Sequence, residues 1–134
     1  MLVPCEIAVK CLLPAMRAII AKELTTTHNL KQAEAAKLLG VSQPAISLYY
    51  RRLRGKAIDL ENDADVMKII KEFADSLVCS NTMTHEESMK KFCEICKLVR
   101  AKGLMCELHK IFDPQIDVRK CGLCLAVGSV NCFG

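Results

Sequence analysis

Five cysteines crowd residues 93–124 of this 134-residue chain: Cys93 and Cys96 in KFCEIC, Cys106 after them, and Cys121 and Cys124 in CGLC. A thiolate is a soft ligand suited to zinc or to an iron–sulfur centre. Residues three apart on a helix share one face, so Cys93 and Cys96 can point at one centre. Cys121 and Cys124 repeat the spacing in a loop, where Gly122 permits a tight turn. Two CxxC pairs in one small protein are a metal-site pattern. The plainer alternative is five buried thiols acting as small apolar side chains.

Two kinds of centre compete. A structural zinc takes four ligands, which the two pairs supply, leaving Cys106 and His109 spare or as substitutes. An iron–sulfur cluster, 4Fe–4S or 3Fe–4S, takes three or four thiolates, and Phe92, Met105 and Leu123 are apolar neighbours able to shield it. The ferredoxin spacing with its trailing proline is absent. Zinc knuckles usually put both pairs in turns, whereas Cys93 and Cys96 fall inside a helical pattern. Cys5, Cys11 and Cys79 fall on helical apolar faces and are expected in the core. Cys132 in the tail is expected to be unliganded, His28 to lie at the surface, and His85 to stand in the first turn of a helix.

The composition, 51% hydrophobic and 25% charged with only 4% aromatic residues, suits a globular chain with an aliphatic core. Residues 1–58 hold nine lysines and arginines against three glutamates, a balance of +6, while residues 59–134 balance to −2. A basic front suggests a polyanionic partner. Lys10 and Arg17 interrupt the apolar start, which therefore reads as neither a signal peptide nor a membrane span. The expectation is a cytoplasmic protein without membrane association, in which nine cysteines, an odd number, are not a disulfide scaffold. No paired carboxylates beside a histidine, no Gly-rich phosphate loop and no nucleophile signature are present, so neither an enzyme nor a small-molecule substrate is expected. A small redox protein is the reading from another class.

The elements that must position these residues are helical, and no run alternates like a strand. Pro4 can open a first helix, with a kink expected at Pro14 and a break at TTTHN, residues 25–29. KQAEAAKLL favours a second helix, with Asn29 and Gln32 as its capping box and Gly40 as its stop. Ser42 caps a third, with Pro44 in its first turn. Residues 54–65 read as a polar connection. Val66, Ile69, Ile70, Phe73, Ala74, Leu77 and Val78 mark an amphipathic helix over 63–80. Thr84 and Glu87 box the start of the next, whose inner stripe is expected to hold Met89, Phe92, Cys93, Cys96 and Val99. Gly103 ends it, and a short helix over 104–111 follows.

The stretch KQAEAAKLLGVSQPAISLYYRRLRG resembles the helix-turn-helix of the lambda-repressor-like (XRE) transcription regulators. Gln32, Ala36, Gly40, Val41, Ser42, Gln43 and Ile46 stand where that pattern has Gln, Ala, Gly, an aliphatic residue, Ser, Gln and an aliphatic residue. The resemblance spans residues 15–55 and implies that the second helix lies in the major groove of double-stranded DNA. Gln43 would then pair with adenine, Ser47 reach a base or phosphate, and the Ala45 methyl touch a thymine methyl. Gln32, Ser42 and the helix starts would hold phosphates, with Arg51, Arg52, Arg54 and Lys56 along the flanking backbone. Tyr50 is a further contact position and Tyr49 a core one. Leu48 departs from the polar or basic residue often found at its position.

The whole chain also resembles a group of archaeal regulators in its opening Pro4-Cys5-Glu6, Leu13-Pro14 and Arg17, its helix-turn-helix and its cysteine-rich end. That likeness implies a cluster-bearing transcription factor. The expected fold is all-α: a lambda-repressor-like domain over 1–62, a connecting or dimerisation helix over 63–80, and a cysteine-rich segment over 81–134 with the metal or cluster site. Such readers act in pairs, so a homodimer on an operator is expected, with the centre sensing redox state, oxygen or iron, or serving as a structural zinc.

Overall fold

The structure, a computed structural model, describes residues 3–51, 58–79, 83–115 and 117. Every regular element among them is helical: α1 (Pro4–Ile7), a π-helical turn (Ala8–Leu12), α2 (Leu13–Thr26), α3 (Gln32–Leu39), α4 (Gln43–Tyr50), α5 (Ala64–Cys79), α6 (His85–Ala101) and α7 (Cys106–Phe112). No helix among them is long and apolar enough to cross a membrane.

Pro14 does not break the first helix. It brings no N–H and crowds the preceding turn, and the chain widens there into the π-helical turn, so that Pro4–Thr26 is one unbroken helical run. The run extends two residues into the break expected at 25–29. Thr25 and Thr26 hold their hydroxyls on carbonyls of the preceding turn. Asn29, with φ 55°, then reverses the chain.

The capping box expected at Asn29 and Gln32 lies two residues further on. Asn29 is engaged in the left-handed turn, so Lys31 becomes the cap residue and its N–H donates to Glu34 Oε2 at 3.2 Å. At α6 the box forms as expected: Glu87 N–H donates to Thr84 Oγ1 at 3.1 Å, and Thr84 N–H to Glu87 Oε2 at 2.8 Å.

One apolar cluster runs from Ala8 to Met105 and takes in Met16, Ile20, Leu24, Ile46, Ile70, Phe73, Ile95 and Val99. It draws on residues either side of 62 and of 80, so the N-terminal helices and the later ones share a core. The stripe of α5 (Val66, Ile70, Phe73, Ala74, Leu77) is buried within the chain, where α5 meets α2 and α6. Each large aliphatic or aromatic side chain so buried contributes roughly 1.5–3 kcal/mol. The Phe73 and Phe92 rings meet edge to face at 5.2 Å, and Arg17 lies over Phe92 at 5.9 Å.

The inner face of α6 differs from expectation. Ile95, Val99 and Arg100 are its buried residues, Phe92, Cys93 and Cys96 are half-buried, and Met89 is exposed. Residues 85–90 are exposed or half-buried throughout, so the helix enters the core only from Phe92 onward.

Candidate functional site

The first candidate is built on the turn between α3 and α4. Gly40 takes φ 66°, a left-handed angle that a side chain resists. Its N–H reaches the Lys37 carbonyl at 3.3 Å, and the Val41 N–H reaches the Ala36 carbonyl at 3.0 Å. This paired closure satisfies the last carbonyls of α3. Ser42 then caps α4, its hydroxyl accepting the Ala45 N–H at 3.3 Å. A stop and a start thus fall within three residues, and α4 leaves α3 on a fixed path. Both helices pack on α2.

That path decides which way α4 faces. Ala45, Ile46 and Tyr49 are buried, Gln43 and Arg51 are exposed, and Ser47 and Leu48 are half-buried. Of the residues expected to contact DNA, Ser42, Gln43, Ser47 and Arg51 therefore reach the surface, and Gln32 is half-buried at the first position of α3. Ala45 does not. Its methyl is 7% exposed because it closes the core beside Ile46, so the thymine contact expected of it is withdrawn. Tyr50 ends α4. Its side chain, Arg52 and Arg54 lie outside the described residues.

The second candidate is a group of thiols. Cys93 and Cys96 stand one turn apart on α6, both half-buried. Burial pushes the Cys96 thiol above its ordinary value, and the charge and hydrogen bond of Arg100, one turn on, pull the other way. Cys5 and Cys93 add to the upward push on Cys96. Arg100 is buried, and its Nη1 lies 3.9 Å from Cys5 Sγ. Cys106 is half-buried at the start of α7, where His109 is buried. Cys121 and Cys124 lie outside the described residues.

Two cysteines expected in the core are at the surface: Cys79, as the last residue of α5 beyond buried Leu77, and Cys5, in the first turn of α1. Cys11 is buried as expected. Cys5 meets Arg100 of α6, a contact that sequence reasoning missed. The two are 95 residues apart, and no local spacing announces the contact.

The donor chemistry fits a soft metal or an iron–sulfur centre. Among the described residues, no three His, Cys, Asp or Glu side chains converge closely enough to hold a metal ion.

No family model, no curated protein and no solved structure matches the chain.

Proposed function

We propose that the protein is a sequence-specific reader of double-stranded DNA, a transcription regulator, whose α4 enters the major groove with its N-terminal end leading. The observation that supports this reading is the division of α4: Ala45, Ile46 and Tyr49 inward, Gln43, Ser47 and Arg51 outward, set by a glycine stop and a serine cap two residues apart. Gln43 has the paired donor and acceptor that adenine requires, and Arg51 brings charge for phosphate. The +6 balance of residues 1–58 agrees with a polyanion partner.

The reading includes a cysteine-bound centre, for which Cys93, Cys96, Cys106, Cys121 and Cys124 are the available thiols. An iron–sulfur cluster would supply redox- or iron-sensitive occupancy there, and a zinc ion a fixed brace. Two copies on one operator would place their readers about 34 Å apart. The α5 stripe is buried inside the chain, so the contact between copies uses another surface.

The test is selection of binding sites from random duplexes with anaerobically purified protein, followed by titration at several salt concentrations. A recovered consensus bound with steep salt dependence supports the reading. Affinity that is weak, unselective and indifferent to salt overturns it. Metal analysis and the visible spectrum of the same sample separate iron–sulfur from zinc.

A further inference from the structure

We propose that two copies of this chain meet through the face that the π-helical turn makes with α7, with Val9, Ile111 and Phe112 at its centre and Glu6 of one copy opposite Lys10 of the other. The proposal rests on the reading of the protein as a DNA reader that acts in pairs, and it names the surface that pairs it.

The face is where the molecule leaves apolar surface uncovered. Val9 is 63% exposed and Ile111 71%, and Val3 and Phe112 are exposed beside them in sequence. The α1 helix packs against α7, and Lys10 lies over the Phe112 ring at 5.5 Å, so both groups belong to one surface. Leu38 and Met89, also exposed, stand singly on α3 and α6. Contiguous apolar surface with charged residues at its edge marks a protein–protein contact, whereas single apolar side chains do not. The α5 stripe is already buried within the chain and offers a second copy nothing.

Local backbone supports the same place. Val9 and Lys10 belong to the π-helical turn Ala8–Leu12, and such turns frequently mark functional sites. Cys5, Glu6, Val9 and Lys10 line an open depression of about 290 Å3.

Charge selects the occupant. Glu6 and Lys10 lie on either side of Val9 in the chain, and all three are exposed. A face with one acid and one base about an apolar centre complements itself. When two copies of the run cross antiparallel about a twofold axis, each Glu6 meets the other copy's Lys10 and the valines meet between them. The run then continues as α2, on which α3 and α4 pack. A contact at Val9 therefore sets the separation of the two α4 helices through one helical element.

The experiment is sedimentation of the full chain, alone and on the selected duplex, as wild type, Val9→Asp, Glu6→Lys, Lys10→Glu and the double reversal. We expect Val9→Asp and each single reversal to weaken self-association about tenfold, and the double reversal to restore it. Val9→Asp should bind a duplex holding one half-site as the wild type does and lose the gain from a second half-site. A benzoylphenylalanine photo-cross-linker at position 9 identifies the occupant directly, and the expected product is a chain joined to a second copy. A cross-link to residues 118–134 of the same chain, or to neither, overturns the proposal. So does a wild type that binds the selected duplex but stays monomeric on it, and the DNA reading then stands. If no duplex is selected while the protein pairs through this face, the DNA reading falls and the interface stands.

Discussion

Lys102 donates to both oxygens of the Asp63 carboxylate, at 3.0 and 3.1 Å, and so ties the turn after α6 to the start of α5. The same ammonium reaches Asp65 at 2.7 Å. Asp63 also accepts the Val66 N–H at 3.1 Å, the bond that caps α5. That backbone N–H, followed by Lys102, holds the Asp63 carboxyl below its ordinary 3.8. A carboxyl depressed in the folded state stabilises above its unfolded value and loses that contribution as pH falls through its folded value. We expect denaturant midpoints to decline below about pH 4. In Asp63→Asn, which keeps a cap acceptor and loses the charge, the decline should be shallower. Equal slopes in the two proteins would deny the carboxylate this part. The Asp65 and Asp63 carboxylates raise Lys102, so its contribution is present at neutral pH and lost only in strong alkali.

Gly40 separates conformational cost from steric cost. A Cβ there would meet nothing within 4 Å, yet φ is 66°. We expect Gly40→Ala to destabilise by about 1–2 kcal/mol, the cost of a left-handed residue, in urea unfolding followed by circular dichroism. Ala36 tests the opposite case. Its φ is helical, but the side chain is buried at the closure of α3, so Ala36→Leu should cost about 1–3 kcal/mol through overpacking. If Gly40→Ala proves neutral, the left-handed turn is not a constraint on this fold.

Local signals carried most of what could be read from sequence. The Ser42 cap, the Thr84–Glu87 box and the stops at Gly40 and Gly103 depend on residues a few positions apart, and each is where the sequence places it. Signals that depend on what packs opposite were less legible. Ala45 looks like a contact residue in the motif but faces inward, because α4 lies on α2. Met89 fits the helical period of α6, but its turn precedes the part of the helix that meets the core. Pro14 predicts a kink and yields a π-helical turn, since a widened turn removes the clash without ending the helix. Cys5 joins α6 only because the chain folds back on itself, and periodicity holds no information on that.

Phe92 links the front of the chain to the back. Its ring meets Phe73 edge to face, and Arg17 lies over it. An aromatic pair contributes about 0.5–1.5 kcal/mol beyond area burial, and a partly exposed cation–π contact about 0.5–1 kcal/mol. Phe92→Leu keeps an apolar side chain and removes both ring interactions. We expect it to lower stability by about 1–2 kcal/mol, with Arg17→Ala costing less in the Phe92→Leu background than in the wild type. Strict additivity of the two substitutions would mean that the ring and the guanidinium do not interact.

Arg51 and Gln43 stand eight residues apart on the same outward side of α4 and should fail in different ways. If α4 reads DNA, Arg51 neutralises a phosphate and releases its counterion whatever the base sequence. Arg51→Ala should then weaken selected and random duplexes alike and lower the slope of log affinity against log salt by about one. Gln43 acts on a base edge, where nothing is neutralised. Gln43→Ala should leave the salt slope intact, reduce affinity for the selected duplex by about 1–3 kcal/mol, and leave random duplexes almost unchanged. Titrations of the two variants on both duplexes at three salt concentrations make the comparison. Should both variants lose affinity uniformly, α4 lies along the backbone and not in the groove. Should neither lose any, the outward face of α4 is not the contact, and the reading of the protein as a DNA reader through that helix is wrong.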